Sequence, residues 1–264
     1  MRHNSVGYIV GFAAAICVVC SLLVSASATF LKERQLTNAR LDKQKKVLAV
    51  SGLIETRAKV AAEEVDRLFD DHITARIVNL ETGEDAPEGE FDLATYDQAR
   101  ALKDPALSRA VDRNPAKVRR VPTHGLVYEV RDESDELTML VIPVEGMGLW
   151  GTLYGFVALG TDSTTIRGLT FYKHKETPGL GAEVDNPSWI AKWPGRKAFD
   201  ENWVPQIQVI KGAAGPAADD PYRVDGLSGA TLTSNGVTNL LQFWLDADGF
   251  GPFLANFRAG GSGA

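Results

Sequence analysis

The sequence predicts an α+β fold, with one N-terminal transmembrane helix followed by a soluble domain in which helices frame a mixed or antiparallel sheet. Three observations lead there. Asn4 to Leu31 contains no Asp, Glu, Lys, Arg or His. From Gly125 to Tyr172, short runs rich in β-branched and aromatic residues are separated by charged or glycine-rich turns. Near the C-terminus, Val237, Leu240, Leu241, Trp244 and Leu245 follow i, i+3, i+4, i+7, i+8 spacing, which is one apolar stripe on a helix.

The first element is the apolar run. Gly7 to Leu31 is longer than the roughly 20 residues a helix needs to cross a bilayer, and Tyr8 and Phe30 sit near its ends as interfacial aromatics do. Ser25-Ala26-Ser27-Ala28 resembles a signal-peptide cleavage site. The run, however, exceeds the roughly 7–15 apolar residues of a signal peptide, and only Arg2 and His3 charge its start. A retained single-pass anchor over about 7–31 is therefore expected. Arg2 is the only Lys or Arg before the span, whereas Lys32, Arg34, Arg40, Lys43, Lys45 and Lys46 follow it. Read alone, the positive-inside rule puts the soluble region in the cytoplasm.

Lys32 to Lys46 reads as a polar helix continuing the span, and Ser51-Gly52 breaks the apolar run Val47–Leu53. Val65, Leu68 and Phe69 form a short helical stripe, and Ile73, Ala75, Ile77 and Asn79 alternate as a strand. Glu81 to Glu90 is an acidic surface loop, and Phe91 to Leu102 is predicted as a further helix. Leu126–Val130 and Leu137–Ile142 read as strands joined by the Arg131–Glu136 turn, with two more at Thr152–Leu159 and Ile166–Tyr172. Ile207–Ile210 is a short apolar strand. Thr233 or Ser234 is the expected N-cap of the C-terminal helix, and Asp248-Gly249 its stop. The predicted organisation is an anchor over 1–31, a helical or mixed region over 32–120, and a binding domain over 121–264.

Composition narrows the function classes. The chain has 264 residues, 23% charged, with net charge −6. An acidic balance, with no extended block of basic residues alternating with aromatics, argues against nucleic-acid binding. Its two cysteines, Cys17 and Cys20, both lie in the apolar run, so the soluble region has no disulfide or thiolate metal site. The histidines His3, His72, His124 and His174 lack metal-ligand spacing. His174 stands in the charged stretch Lys173–Glu176, where an exposed histidine is the default.

Three motifs carry chemistry. In Asp225-Gly226-Leu227-Ser228-Gly229-Ala230-Thr231 a hydroxyl, Thr231, follows two small residues and precedes the C-terminal helix. A phosphate there would meet free N–H groups and the positive end of the helix dipole, and Gly229 and Ala230 would let a bulky group approach the backbone. Taken alone, this is also how an ordinary Ser/Gly helix cap reads. Gly146-Met147-Gly148-Leu149-Trp150-Gly151 is a glycine-rich loop between strands, either a hairpin with a core tryptophan or a place where a flat ring meets Trp150. It lacks the strand-then-helix context of a dinucleotide fingerprint. In Glu176-Thr177-Pro178-Gly179-Leu180-Gly181 the Pro178-Gly179 pair fits the centre of a type II turn. Such a turn is either plain surface or a cradle of N–H groups beside the Thr177 hydroxyl. Lys211, after the 207–210 strand, offers a cation to an anion, or is simply solvated.

Together these residues resemble the covalent FMN-binding domain family. Asp225–Thr231 is similar to its flavinylation motif, and Glu176–Gly181 to its second signature. Gly148-Leu149-Trp150-Gly151-Thr152-Leu153-Tyr154-Gly155, the anchor and Asp42-Lys43-Gln44-Lys45-Lys46-Val47-Leu48 resemble the NqrC members of that family, from the sodium-translocating NADH:quinone reductases. The resemblance implies FMN joined by a phosphodiester to Thr231, supplied from FAD by a separate flavin transferase that releases AMP. It implies that Asp225 serves that enzyme and that Ser228, Gly229 and Ala230 shape the acceptor loop. Trp150 and Leu180 are expected against the ring. Thr177 and the Gly179 turn would meet its polar edge, Thr233 and Ser234 the phosphate, and Lys211 the anion. It further implies a bacterial inner-membrane complex as partner. Electrons would pass from NADH through other subunits toward ubiquinone, coupled to sodium export. Because flavin transfer is extracytoplasmic in the family, the expected location of the domain is periplasmic, against the charge bias. The alternatives at this stage are the corresponding flavin-bearing member of the related Rnf electron-transport complex and a membrane-anchored binding module without redox function. A hydrolase using Ser228 or Ser234 has no acid–base partner beside either residue.

Overall fold

A computed structural model describes residues 6–56, 58–93, 95–112 and 114–260. Arg2 and His3, used in the charge argument, lie outside these. The chain divides into two compact units, 1–43 and 44–264.

The first unit is helical. It forms most of α1 (Val6–Val50), whose apolar window has a mean hydropathy of 2.6 and is unburied. By length and composition this helix can cross a membrane. α1 ends where Ser51-Gly52 was expected to break it, with Gly52 at φ +78°.

The second unit is built on a five-stranded antiparallel sheet of order β1-β4-β5-β6-β7. Its strands are β1 (Ile73–Asn79), β4 (His124–Arg131), β5 (Leu137–Met147), β6 (Thr152–Gly160) and β7 (Ile166–Lys173). Between β1 and β4 lie α3 (Gln98–Ala101) and a two-residue pair, β2 (Ser108–Arg109) with β3 (Val121–Pro122). The β4–β5 turn is held by Asp132, whose Oδ1 accepts the N–H groups of Ser134 (2.8 Å) and Glu136 (3.0 Å). That is the side-chain turn chemistry aspartate favours.

Alternation along the strands builds two faces. Leu140, Ile142, Val144, Val157 and Phe171 point to the main core, where α5 (Thr231–Leu245) and α6 (Gly251–Arg258) pack. Tyr128, Val141 and Ala158 share the other face through the strand register. Phe69 of α2 (Ala62–His72) meets Tyr128 edge-on at 5.9 Å. A Cβ on Gly168 would lie 2.8 Å from Val50 O, so the last turn of α1 also covers this face. The α+β expectation holds, and helices do frame an antiparallel sheet.

Two expectations need correction. The predicted 91–102 helix shrinks to α3, capped by Asp97. Phe91 packs its ring on Tyr96 (5.3 Å) and His124 (4.6 Å), which a helix through 91–96 would not permit. The C-terminal helix starts at Thr231, with Ala230 as N-cap and no side-chain cap. It ends at Leu245, before the expected Asp248-Gly249 stop. Phe250 N–H returns to Trp244 O (2.6 Å), and a Cβ on Gly249 would lie 2.4 Å from that oxygen. Thr233 and Ser234 are not caps, because their hydroxyls are engaged elsewhere.

After β7 come a 3₁₀ turn (Gly181–Asp185) and α4 (Pro187–Ile190). The 207–210 segment contributes β8 (Gln208–Val209), paired in parallel with β9 (Arg223–Val224). That pairing delivers the chain to Asp225.

Candidate functional site

Three segments meet at the end of the sheet where β5 turns into β6. The first is the glycine loop. Gly148 N–H donates to Gly151 O (2.8 Å), closing a tight hairpin with Leu149 and Trp150 at its tip. Trp150 is 63% exposed, so it is not a core residue.

The second is the Thr177–Leu180 turn. Leu180 N–H donates to Thr177 O (3.1 Å), and Gly179 has φ +75°, as a type II turn requires. Thr177, Gly179 and Leu180 are all exposed along this turn. His174 is not the solvated residue expected. It is partly buried, and its Nε2 lies 2.8 Å from Asp185 Oδ2.

The third is the acceptor loop. Thr231 is the first residue of α5 and is exposed, as are Ser228 and Gly229, while Ala230 is buried. Gly229 has φ +70°, and a Cβ there would lie 2.9 Å from Leu180 Cδ2. The loop therefore lies against the turn, and only glycine suits the position. Helix and hairpin meet at Gly236, where a Cβ would lie 2.5 Å from Met147 O.

Glu176 ties the three together. It is only 5% exposed. One carboxylate oxygen accepts the Trp150 N–H (2.9 Å), and the other accepts the Thr233 hydroxyl (2.5 Å). Ser234 Oγ accepts Leu227 N–H (3.1 Å), pinning the acceptor loop to its own helix. Thr233 and Ser234 are both buried and directed at these partners.

Asp225 is held from several sides. Its carboxylate pairs with Lys192, its Oδ1 accepts Ala214 N–H (3.0 Å), and its backbone oxygen accepts Trp189 Nε1–H (2.8 Å). Burial raises its pKa, but the Lys192 and Ala214 hydrogen bonds and the charges of Lys192 and Arg196 outweigh this. The carboxyl lies below its ordinary value and stays ionised. Lys211 is exposed beside Gly212, whose carbonyl accepts Gly226 N–H (2.8 Å), so it flanks the motif.

Sequence reasoning missed the roles of Glu176 and Lys192. Glu176 opens the second motif, yet nothing local reveals a buried carboxylate. Lys192 reads as one more solvated charge.

The arrangement offers an exposed tryptophan and leucine, a hydroxyl at an uncapped helix start, and glycines that admit close approach. A flat aromatic ring with a phosphate tail fits these features. Two cavities elsewhere, of about 290 Å³ near His124 and about 570 Å³ near Phe253, contain none of these residues.

The FMN-binding domain family matches residues 148–246, which span all three segments. The chain is 43% identical over 261 residues to the NqrC component of the Na(+)-translocating NADH-quinone reductase of Yersinia pestis, covering 98% of this chain and 96% of that one. It is 47% identical over 253 residues to the same component from Pseudomonas aeruginosa, covering 94% of each. The chain belongs to the NqrC family of the Na(+)-translocating NADH-quinone reductases. The crystal structure of NqrC from Shewanella oneidensis superposes with a TM-score of 0.76 at 30% identity, covering 84% of this chain and 99% of that one. The corresponding structure from Parabacteroides distasonis gives 0.65 at 28% identity, covering 85% and 96%. In this member of the NqrC family, the start of the FMN-binding region coincides with the Trp150 hairpin and its end with the C-cap of α5.

Proposed function

We propose that this chain carries FMN on Thr231 through a phosphodiester. On this reading it serves as an electron-carrying subunit of the sodium-translocating NADH:ubiquinone reductase, passing electrons toward ubiquinone with sodium export. The observation that carries the reading is the FMN-binding match over 148–246, with an exposed Thr231 at the start of an uncapped helix.

In the proposed modification, Thr231 Oγ forms the new bond to the FMN phosphorus of FAD. The phosphoanhydride bond breaks, AMP leaves, and the hydroxyl proton passes to solvent. A separate flavin transferase would perform this step, with Asp225 and Ser228 in the loop it recognises. The ester would lie beside the first N–H groups of α5, where a negative charge is favoured. Bound FMN supplies the redox chemistry. The chain retains the group, orients it between Trp150 and Leu180, and offers Thr177 and the Gly179 turn to its polar edge. Lys211 adds a cation beside the loop. Thr233 and Ser234 act behind the loop, through Glu176 and Leu227, and not at its face. α1 anchors the protein in the bacterial inner membrane, with other subunits as partners and 44–264 on the periplasmic side.

The test is intact mass of the membrane-expressed protein, with flavin fluorescence after denaturation. The wild type is expected to gain one FMN less water, and Thr231→Ala to lose gain and fluorescence together while keeping its fold. Undiminished fluorescence in the variant would refute the assignment.

A further inference from the structure

We propose that Glu176 is a positioning residue for the flavin. Its buried carboxylate joins the Trp150 hairpin to the acceptor helix, and so fixes the ring-contacting tryptophan relative to Thr231. The proposal rests on the reading of Thr231 given above.

The geometry is specific. Trp150 is highly exposed at its side chain, so packing does little to hold the hairpin tip. Beyond the Gly148–Gly151 bond that closes the hairpin, the Trp150 backbone N–H is tied to Glu176 Oε1 at 2.9 Å. The other oxygen bonds the Thr233 hydroxyl two residues after the acceptor, at 2.5 Å. A backbone N–H from the hairpin and a hydroxyl from the helix therefore converge on the two oxygens of one buried side chain.

Space for the group is made on both sides. A Cβ on Gly148 would lie 2.7 Å from Glu176 Oε1, and one on Gly181 would lie 2.5 Å from Oε2 and 2.7 Å from Thr233 Oγ1. Two glycines from different segments therefore leave room for one carboxylate. The residue's own backbone is fixed as well. Glu176 N–H donates to His174 Nδ1 (3.2 Å), so His174 Nε2 carries the proton directed at Asp185 (2.8 Å). These contacts tie the Glu176 backbone to the 3₁₀ turn that contains Asp185.

The test compares full-length wild type, Glu176→Ala and Glu176→Gln. One readout needs no flavin: hydrogen exchange of the Trp150 amide. It is expected to quicken up to about tenfold in Glu176→Ala, the size of one lost hydrogen bond. In Glu176→Gln it should stay near wild type. The carboxamide oxygen still accepts from Trp150, and its NH₂ can donate to the Thr233 oxygen once that hydroxyl turns. The second readout is the visible circular dichroism of the bound flavin, together with the quenching of Trp150 fluorescence. Both should change in Glu176→Ala with Thr231 still loaded, and both should be restored in Glu176→Gln. An unchanged Trp150 amide in Glu176→Ala, or an unchanged flavin signal despite faster exchange, overturns the proposal. If Glu176→Ala fails to fold, Gly148→Ala displaces the same carboxylate and should give the same two changes. An unflavinylated wild type would instead sink the Thr231 reading, and the amide measurement would still decide whether Glu176 makes the tie.

Discussion

Glu145 and Asp225 show how single carboxyls set opposite pH dependences in one domain. Glu145 lies opposite Tyr154 in the β5–β6 ladder, and burial pushes its carboxyl up from an ordinary 4.5 to about 7. Between these values the unfolded chain ionises while the folded one keeps its proton, so this group lowers stability as pH rises from 4.5 to 7. Asp225 runs the other way. Its contribution is whole above the ordinary value of 3.8 and fades as pH falls through its lower folded value. Glu145→Gln is therefore expected to flatten the fall between pH 4.5 and 7 and to stabilise the protein at pH 8 by up to about 3 kcal/mol. Urea midpoints across pH check this, and an equal slope in both proteins would contradict it. At this scale the sequence is only partly readable. Thr231 and the Gly179 turn stand out because glycine and hydroxyl patterns are local. Glu176 and Lys192 do not, because their partners lie 57 and 33 residues away.

Among the elements, α5 is held to the sheet through missing side chains. Gly236 abuts the backbone of Met147 and Gly148, and a Cβ on Gly146 would lie 2.6 Å from Leu240 Cβ. Gly236→Ala sets two effects against each other. Helix propensity gains about 1 kcal/mol, whereas overpacking costs roughly 1–3 kcal/mol. Overpacking should win, because the opposing atoms are backbone and cannot rotate away. A melting temperature lower by roughly 2–8 °C is expected, and a higher one would mean the hairpin gives way freely. The long strands and the apolar stripe of α5 were readable because their periods of 2 and 3.6 persist over many residues. The start of α5 was not. A hydroxyl pair that looks like a cap in sequence is bonded instead to Glu176 and Leu227 in space. β9 escaped notice because a two-residue strand has no period to detect.

For the whole molecule, the division at 43/44 separates an unburied apolar helix from a unit that contains every buried apolar side chain among the described residues. Stability should therefore reside in 44–264. With the proposed orientation, protease added to spheroplasts is expected to cut the polar stretch after the span and release a water-soluble, flavin-bearing fragment. Cleavage in inverted vesicles alone would reverse the orientation. The exposed hairpin tip has a consequence for the whole assembly. Keeping a cofactor and hiding it are separate tasks, and a cavity performs both at once. A ring laid on an outer surface has no walls to grip it and no door to open. On the proposed reading, one ester bond would take over retention, leaving the ring's edge free to face whichever partner docks there.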